Sequence, residues 1–122
     1  MNEDKKSEIM LSEVKEILSA DILVGHDQMD LILTGGAAGD LMSDLLRNPR
    51  EGALLLTGLT NTQTIRTAVV AGMAAVVIVR GKKPNAEMLE HAKKHNLPLL
   101  STLFNMYSSC GRLYKHGLRS IR

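Results

Sequence analysis

Seven residues, Thr34-Gly35-Gly36-Ala37-Ala38-Gly39-Asp40, place three glycines between an apolar segment, residues 29–33, and a helix-like one, residues 41–47. Glycines let backbone N–H groups approach a ligand, and the start of a following helix adds partial positive charge, so such a stretch suits an anion. The spacing matches neither G-x-G-x-x-G nor G-x-x-x-x-G-K-[ST], so neither the dinucleotide nor the nucleoside triphosphate fingerprint is met. Asp40 sits where a helix N-cap belongs, and there it would take the N–H groups an anion needs. The stretch reads as a tight turn with a capped helix, or as one wall of a phosphate site.

The other reactive side chains do not assemble into catalytic machinery. Asp40 and Asp44 lie one helical turn apart without a partner, which fits surface charge better than acid–base work. Cys110 shares helical spacing with Met106 and Leu113 and has no evident basic partner, so it reads as a small core residue. His91 and His95 stand at i, i+4, but the apolar face of their segment is Met88, Leu89 and Ala92, which leaves both histidines at its margin without further ligands. His26 and His116 are isolated, and no Ser or Asp stands at a triad spacing.

These residues need elements to position them, and the alternation of apolar runs and caps supplies the plan. Residues 11–18 carry a helical stripe of Leu11, Val14, Ile17 and Leu18. Residues 21–25 and 29–33 read as strands joined through the turn Gly25-His26-Asp27-Gln28, a hairpin. After the helix at 41–47 and a loop, Asn48-Pro49-Arg50-Glu51-Gly52, residues 53–57 read as a buried, central strand. Helices follow at 61–72, 85–95 and 103–117, with strands at 75–79 and 98–100. Asn61 and Asn85 are the expected N-caps, and Gly72, Asn96 and Gly117 the expected stops. Nearly continuous apolar strands separated by helices imply an α/β fold, a single-domain three-layer sandwich with a mostly parallel sheet flanked by helices.

The chain has 122 residues, 44% hydrophobic, enough for one core, with residues 1–10 as a polar tail, 11–117 as the domain and 118–122 as a basic tail. Only three residues are aromatic, Phe104, Tyr107 and Tyr114, so the core must be aliphatic, with Tyr107 placed in it. A formal net charge of +2 and so few aromatics argue against nucleic acid as a partner. The apolar runs are too short for a membrane span, and a lone cysteine points to a reducing compartment, the cytoplasm. No cofactor and no metal are expected.

In an open α/β sheet, ligands bind beyond the carboxyl ends of the strands. The loops expected there carry Thr34, Gly35 and Gly36; Thr57, Gly58, Thr60, Asn61 and Thr62; Arg80, Gly81, Lys82 and Lys83; and Ser101 and Thr102. Hydroxyls, glycines and cations in one place suit a phosphate-bearing ligand. The ligand-binding set expected is Thr34, Gly35, Gly36, Thr57, Thr60, Asn61, Thr62, Arg80, Ser101 and Thr102.

The order of Ile22-Leu23-Val24-Gly25, Ile32-Leu33-Thr34-Gly35-Gly36 and Asp40-Leu41-Met42-Ser43-Asp44 resembles the DRTGG domain family. So do the segments 52–57, 80–84 and 98–102 and the closing Gly111-Arg112-Leu113-Tyr114, so that the likeness runs over about residues 11–117. Where the family has Asp and Arg before Thr-Gly-Gly, this chain has Ile32 and Leu33. The resemblance implies a fold like the N-terminal domain of HPr kinase, and a regulatory or assembly module of the kind attached to CBS-containing pyrophosphatases and some phosphate acetyltransferases. It also implies a homodimer near which adenine nucleotides are sensed. The function expected is a non-catalytic regulatory or ligand-sensing domain for an adenine nucleotide or another phosphate-bearing molecule. The alternative is a structural domain whose partner is a protein.

Overall fold

The computed structural model describes residues 8–47 and 51–120; the tail at 1–7, the Asn48-Pro49-Arg50 part of the expected loop, and residues 121–122 lie outside the described residues. Helix α1 (Leu11–Leu18) buries Leu11, Val14 and Leu18, the i, i+3, i+7 stripe, and ends where Ser19 turns left-handed at φ 48°. Its first N–H groups are satisfied by carbonyls of the turn that leads into β3: Leu11 N–H donates to the Leu31 oxygen and Ser12 N–H to the Met29 oxygen, both at 2.9 Å. Ahead of it, β1 (Ile9–Met10) pairs antiparallel with β3 (Ile32–Leu33), so residues 9–10 belong to the fold, not to a tail.

The main sheet has five strands in the order β2-β7-β6-β5-β4. They are β2 (Asp21–Val24), β4 (Gly36–Ala38), β5 (Leu54–Thr57), β6 (Ala75–Ile78) and β7 (Leu99–Ser101). Strands β4 to β7 run parallel, and β2 closes one edge antiparallel to β7. The helices between them are α2 (Met42–Arg47), α3 (Thr62–Val70), α4 (Ala86–Lys94) and α5 (Met106–Lys115). Mixed α/β architecture with helices on both faces is therefore observed as expected. β5 is interior and buried at every position, with β6 in the middle of the sheet.

Alternation along the strands divides the core into two halves. Leu54, Leu56, Ala75, Val77 and Leu100 face α1 and α5, packing with Leu11, Val14, Leu18 and Leu113. Leu55, Val76, Ile78 and Leu99 face the other way, against Ile65, Ala68, Met88 and Ala92 of α3 and α4. A period of two in the strands feeds both layers from one sheet, which is why their sequences read as unbroken apolar runs. Each buried Leu or Ile contributes about 1.5–3 kcal/mol through removal from water.

Two expectations are corrected. Residues 21–33 form no hairpin: Gly25, at φ 95° with no room for a Cβ beside Pro98 (2.9 Å), leads into a 3-10 turn at His26–Gln28, and β2 pairs with β7 instead. The glycine stretch is no turn either. Gly36–Ala38 is the edge strand β4, registered on Leu54, Leu55 and Leu56 of β5. Its smallness fits a close neighbour, since a Cβ on Gly36 would stand 3.2 Å from the Leu118 side chain. Leu118 is itself buried, and Gly36 bridges to Ser120, so the end assigned to a basic tail is packed against β4 as far as residue 120.

Helix α5 departs from its expected packing. Asn105 caps it by accepting the Ser108 N–H at 2.8 Å, and the buried face is set by Ser109 and Leu113. Tyr107 is 90% exposed and so lies outside the core, while Phe104 is partly buried against it with the Arg112 guanidinium 3.8 Å from its ring centre. Cys110 is half-buried at the edge of this helix, and burial pushes its thiol pKa up, which makes it a poor nucleophile.

Candidate functional site

The parallel strands β4, β5 and β6 end together, and the residues that follow each one meet. Asp40, two residues beyond β4, does not cap α2. Its Oδ1 accepts the Gly58 N–H at 2.8 Å and the Thr57 hydroxyl at 2.9 Å, from the last residue of β5 and the one that follows it. The Thr57 oxygen in turn accepts the Leu59 N–H at 3.2 Å. From the loop after β6, Lys82 Nζ donates to the Gly58 carbonyl at 3.0 Å. Arg80 closes over the same glycine: a Cβ on Gly58 would lie 2.9 Å from a guanidinium nitrogen of Arg80 and 3.6 Å from Asp40 Oδ2. A side chain at this position would push the Arg80 guanidinium aside, so glycine lets it lie where it does.

The electrostatics follow from these contacts. The Gly58 N–H holds the Asp40 carboxyl below its ordinary pKa against partial burial, and the Thr57 hydroxyl and the charges of Arg80 and Lys82 add to that. Arg80 is held in place by its own backbone, left-handed at φ 67°, with its N–H donating to the Phe104 carbonyl at 2.8 Å. Gly81 N–H donates to the Thr102 carbonyl at 2.8 Å, which ties this loop to the end of β7.

The ten residues expected at the site divide by position. Thr57, Thr60, Asn61, Thr62, Arg80, Ser101 and Thr102 lie at the carboxyl end of the sheet, as the βα topology requires. Thr34, Gly35 and Gly36 do not: they lead into β4, with Gly36 as its first residue, and stand at the opposite, amino end. There Thr34 donates its hydroxyl to the Glu51 carbonyl at 3.1 Å and its N–H to the Gly52 carbonyl at 3.0 Å. Gly35 accepts from Leu54 N–H, and Gly36 N–H donates to the Arg119 carbonyl at 2.8 Å, so these main-chain groups are spent on the sheet. The physical reason is that the chain is already in the parallel sheet at Gly36, not leaving it.

Among the seven at the carboxyl end, some side chains are committed inward. The Thr102 hydroxyl, 2% exposed, donates to the Leu18 carbonyl at 2.7 Å and joins β7 to α1. Asn61 caps α3, accepting Thr64 N–H at 3.1 Å and the Thr64 hydroxyl at 3.2 Å. Thr60 and Thr62 flank that cap and are half-exposed, and Arg80 is exposed. Asp40 and Lys82 were not in the expected set. Lys82 stands in a loop expected at this end of the sheet, whereas a carboxylate at a helix start carries no such signal until β4 and β5 are aligned.

Elsewhere, His91 and His95 touch edge to face with ring centres 4.7 Å apart, and burial together with His95 lowers the His91 pKa. Among the described residues no three His, Cys, Asp or Glu side chains are placed to hold a metal. A groove of about 230 Å³ runs between β4 and α5, lined by Ala37, Ala38, Leu56, Cys110 and Leu113. No helix of the described residues is long and apolar enough to cross a membrane.

The model of the DRTGG domain family matches residues 13–115. This chain belongs to the DRTGG domain family. Among solved structures, this DRTGG domain is similar to the CBS and DRTGG domains of the regulatory region of Clostridium perfringens pyrophosphatase, complexed with the activator diadenosine tetraphosphate. The TM-score is 0.71 at 17% identity, over 85% of this chain and 45% of that one. That likeness establishes the shared fold, and the chain spans less than half the length of its structural neighbour. No curated protein matches the chain. Within this DRTGG domain, Ile32 and Leu33 lie in β3, away from the cluster, while a carboxylate and a guanidinium reach Thr57-Gly58 from Asp40 and Arg80 instead.

Proposed function

We propose that this DRTGG domain is a non-catalytic sensing module, a cytoplasmic homodimer, which binds a phosphate-bearing small molecule at the carboxyl ends of β5, β6 and β7. The observation that carries the reading is the convergence of Arg80 and Lys82 on Gly58, at the approach to α3. Arg80 supplies a planar donor pair for phosphate oxygens and Lys82 a point charge, while Thr60, Thr62 and Ser101 supply hydroxyls and Asn61 fixes the helix start. Thr57 and Thr102 act by shaping the loops, and Thr34, Gly35 and Gly36 by holding the edge strand. The structural neighbour was solved with an adenine dinucleotide, which makes adenine nucleotides the first ligands to test.

Calorimetric titration with AMP, ATP, coenzyme A and diadenosine tetraphosphate tests this reading, with Arg80→Gln as the control. Heat with at least one ligand, reduced tenfold or more in affinity by the substitution, is expected. Absence of heat with all four sinks it.

A second reading, a structural domain that binds protein, is favoured by the outer face of α5, where Tyr107 is 90% and Tyr114 60% exposed. Light scattering separates the two assemblies: a dimer weakened by Tyr107→Ser supports that face as the interface, and a monomer that captures no partner removes this reading.

A further inference from the structure

The cluster around Gly58 contains an anion already. A main-chain N–H, a hydroxyl and two cations are the donor set that proteins offer to a phosphate oxygen. Here the Gly58 N–H and the Thr57 hydroxyl converge on a single oxygen, Asp40 Oδ1, at 2.8 and 2.9 Å, with Arg80 and Lys82 close by. Asp40 reaches this point from another strand, 18 residues from Gly58 in sequence, and contributes nothing to the α2 start it precedes.

We propose that Asp40 is a built-in competitor: the Thr57 hydroxyl, the Gly58 N–H, Arg80 and Lys82 form an anion site which the domain fills with its own carboxylate, and a phosphate-bearing ligand binds by displacing it. The inference rests on the reading of this region as a phosphate site and adds how that site is regulated. Two features favour exchange over a permanent clasp. The carboxylate is at the surface, so it leaves into water without an uncompensated burial cost. Asp40 also lines a cavity of about 270 Å³ with Gly39, Leu41, Asp44 and Leu45, which gives the displaced side chain somewhere to go.

Displacement has a structural consequence. Asp40 is the joint between β4 and α2, and its two bonds fasten that joint to β5. A ligand that takes the donors removes these two side-chain ties, while the Gly39 N–H bond to the Leu56 carbonyl at 3.0 Å keeps the end of β4 on β5.

Isothermal titration of the full chain with inorganic phosphate, AMP and ATP tests the proposal in wild type, Asp40→Ala and Asp40→Asn, with thermal melts confirming that each variant is folded. Asp40→Ala empties the site, and Asp40→Asn keeps the shape while removing the charge. Affinity for phosphate-bearing ligands should rise about tenfold or more in Asp40→Ala, with Asp40→Asn between it and wild type. Adding Arg80→Gln to Asp40→Ala should abolish the gain. Equal affinity in wild type and both variants overturns the competitor and leaves the binding site standing. Binding lost in both variants makes Asp40 a ligand contact and also overturns it. Absence of binding in every form overturns the competitor and the phosphate site together.

Discussion

Replacing Thr102 by Val separates a structural hydroxyl from a ligand-binding one. Thr102 was expected at the ligand site by position, yet its hydroxyl donates to the Leu18 carbonyl at 2.7 Å and accepts the Phe104 N–H at a longer 3.3 Å, in a residue 2% exposed. Valine conserves the volume and deprives a buried carbonyl of this donor, at about 1–3 kcal/mol; the long Phe104 contact adds little. Taking about 2 kcal/mol and an unfolding entropy near 2.1 cal/mol/K per residue, a chain of this length loses about 8 °C of melting temperature. Urea denaturation should show a lower midpoint with an unchanged slope, because the surface exposed on unfolding is the same. Nucleotide affinity, measured below the transition, should equal that of wild type. A melting temperature within about 2 °C of wild type combined with weaker nucleotide binding would refute the assignment and return Thr102 to the ligand.

Other substitutions probe the remaining contacts. In Asp40→Asn, about 1 kcal/mol of stability should be lost near neutral pH. Because folding depresses the Asp40 pKa below its ordinary value, the wild-type advantage is complete above the ordinary carboxylate range and disappears as pH falls through the folded-state value. Urea midpoints across that range check the sign, and a gap that widens on acidification contradicts it. Leu55→Ala, fully buried between β5 and α3, should cost about 2–5 kcal/mol by equilibrium denaturation. Asn85→Ala removes the acceptor of the Met88 N–H and should lower stability by about 1 kcal/mol, read from the same curves. Tyr107→Ser should change monomer stability by less than about 0.5 kcal/mol, and a larger loss in a dilute sample would place the ring in a packed environment after all.

The helices were legible because their signals are local. Leu11, Val14 and Leu18 announce α1, and Asn61 and Asn85 cap α3 and α4 as their sequence positions suggest. Strands β5 and β6 were legible because burial on both faces leaves continuous apolar runs. Strand β4 was not, since Gly36-Ala37-Ala38 has little β propensity of its own and becomes a strand only through its pairing with β5. That misplacement carried Thr34, Gly35 and Gly36 to the wrong end of the sheet. Asp40 was read as a cap because a carboxylate before a helix usually is one; a tertiary donor, Gly58 N–H, won the competition. Tyr107 is not in the core: its spacing with Tyr114 marks a stripe, but not which stripe meets the sheet. The family resemblance, by contrast, held over residues 13–115.

The pairing of β2 with β7 sets an order of events for a chain emerging from the ribosome. Asp21 faces Ser101, and the Leu18 carbonyl waits for the Thr102 hydroxyl, so β2 has no seat in the sheet until β7 has been made. At synthesis rates of roughly 5–20 residues per second, that interval lasts several seconds. Throughout it, the β2 edge stays unpaired, and closing so long a loop makes this edge a late step in folding. The antiparallel border of the sheet is thus the place where this domain is most exposed to aggregation while it is being made.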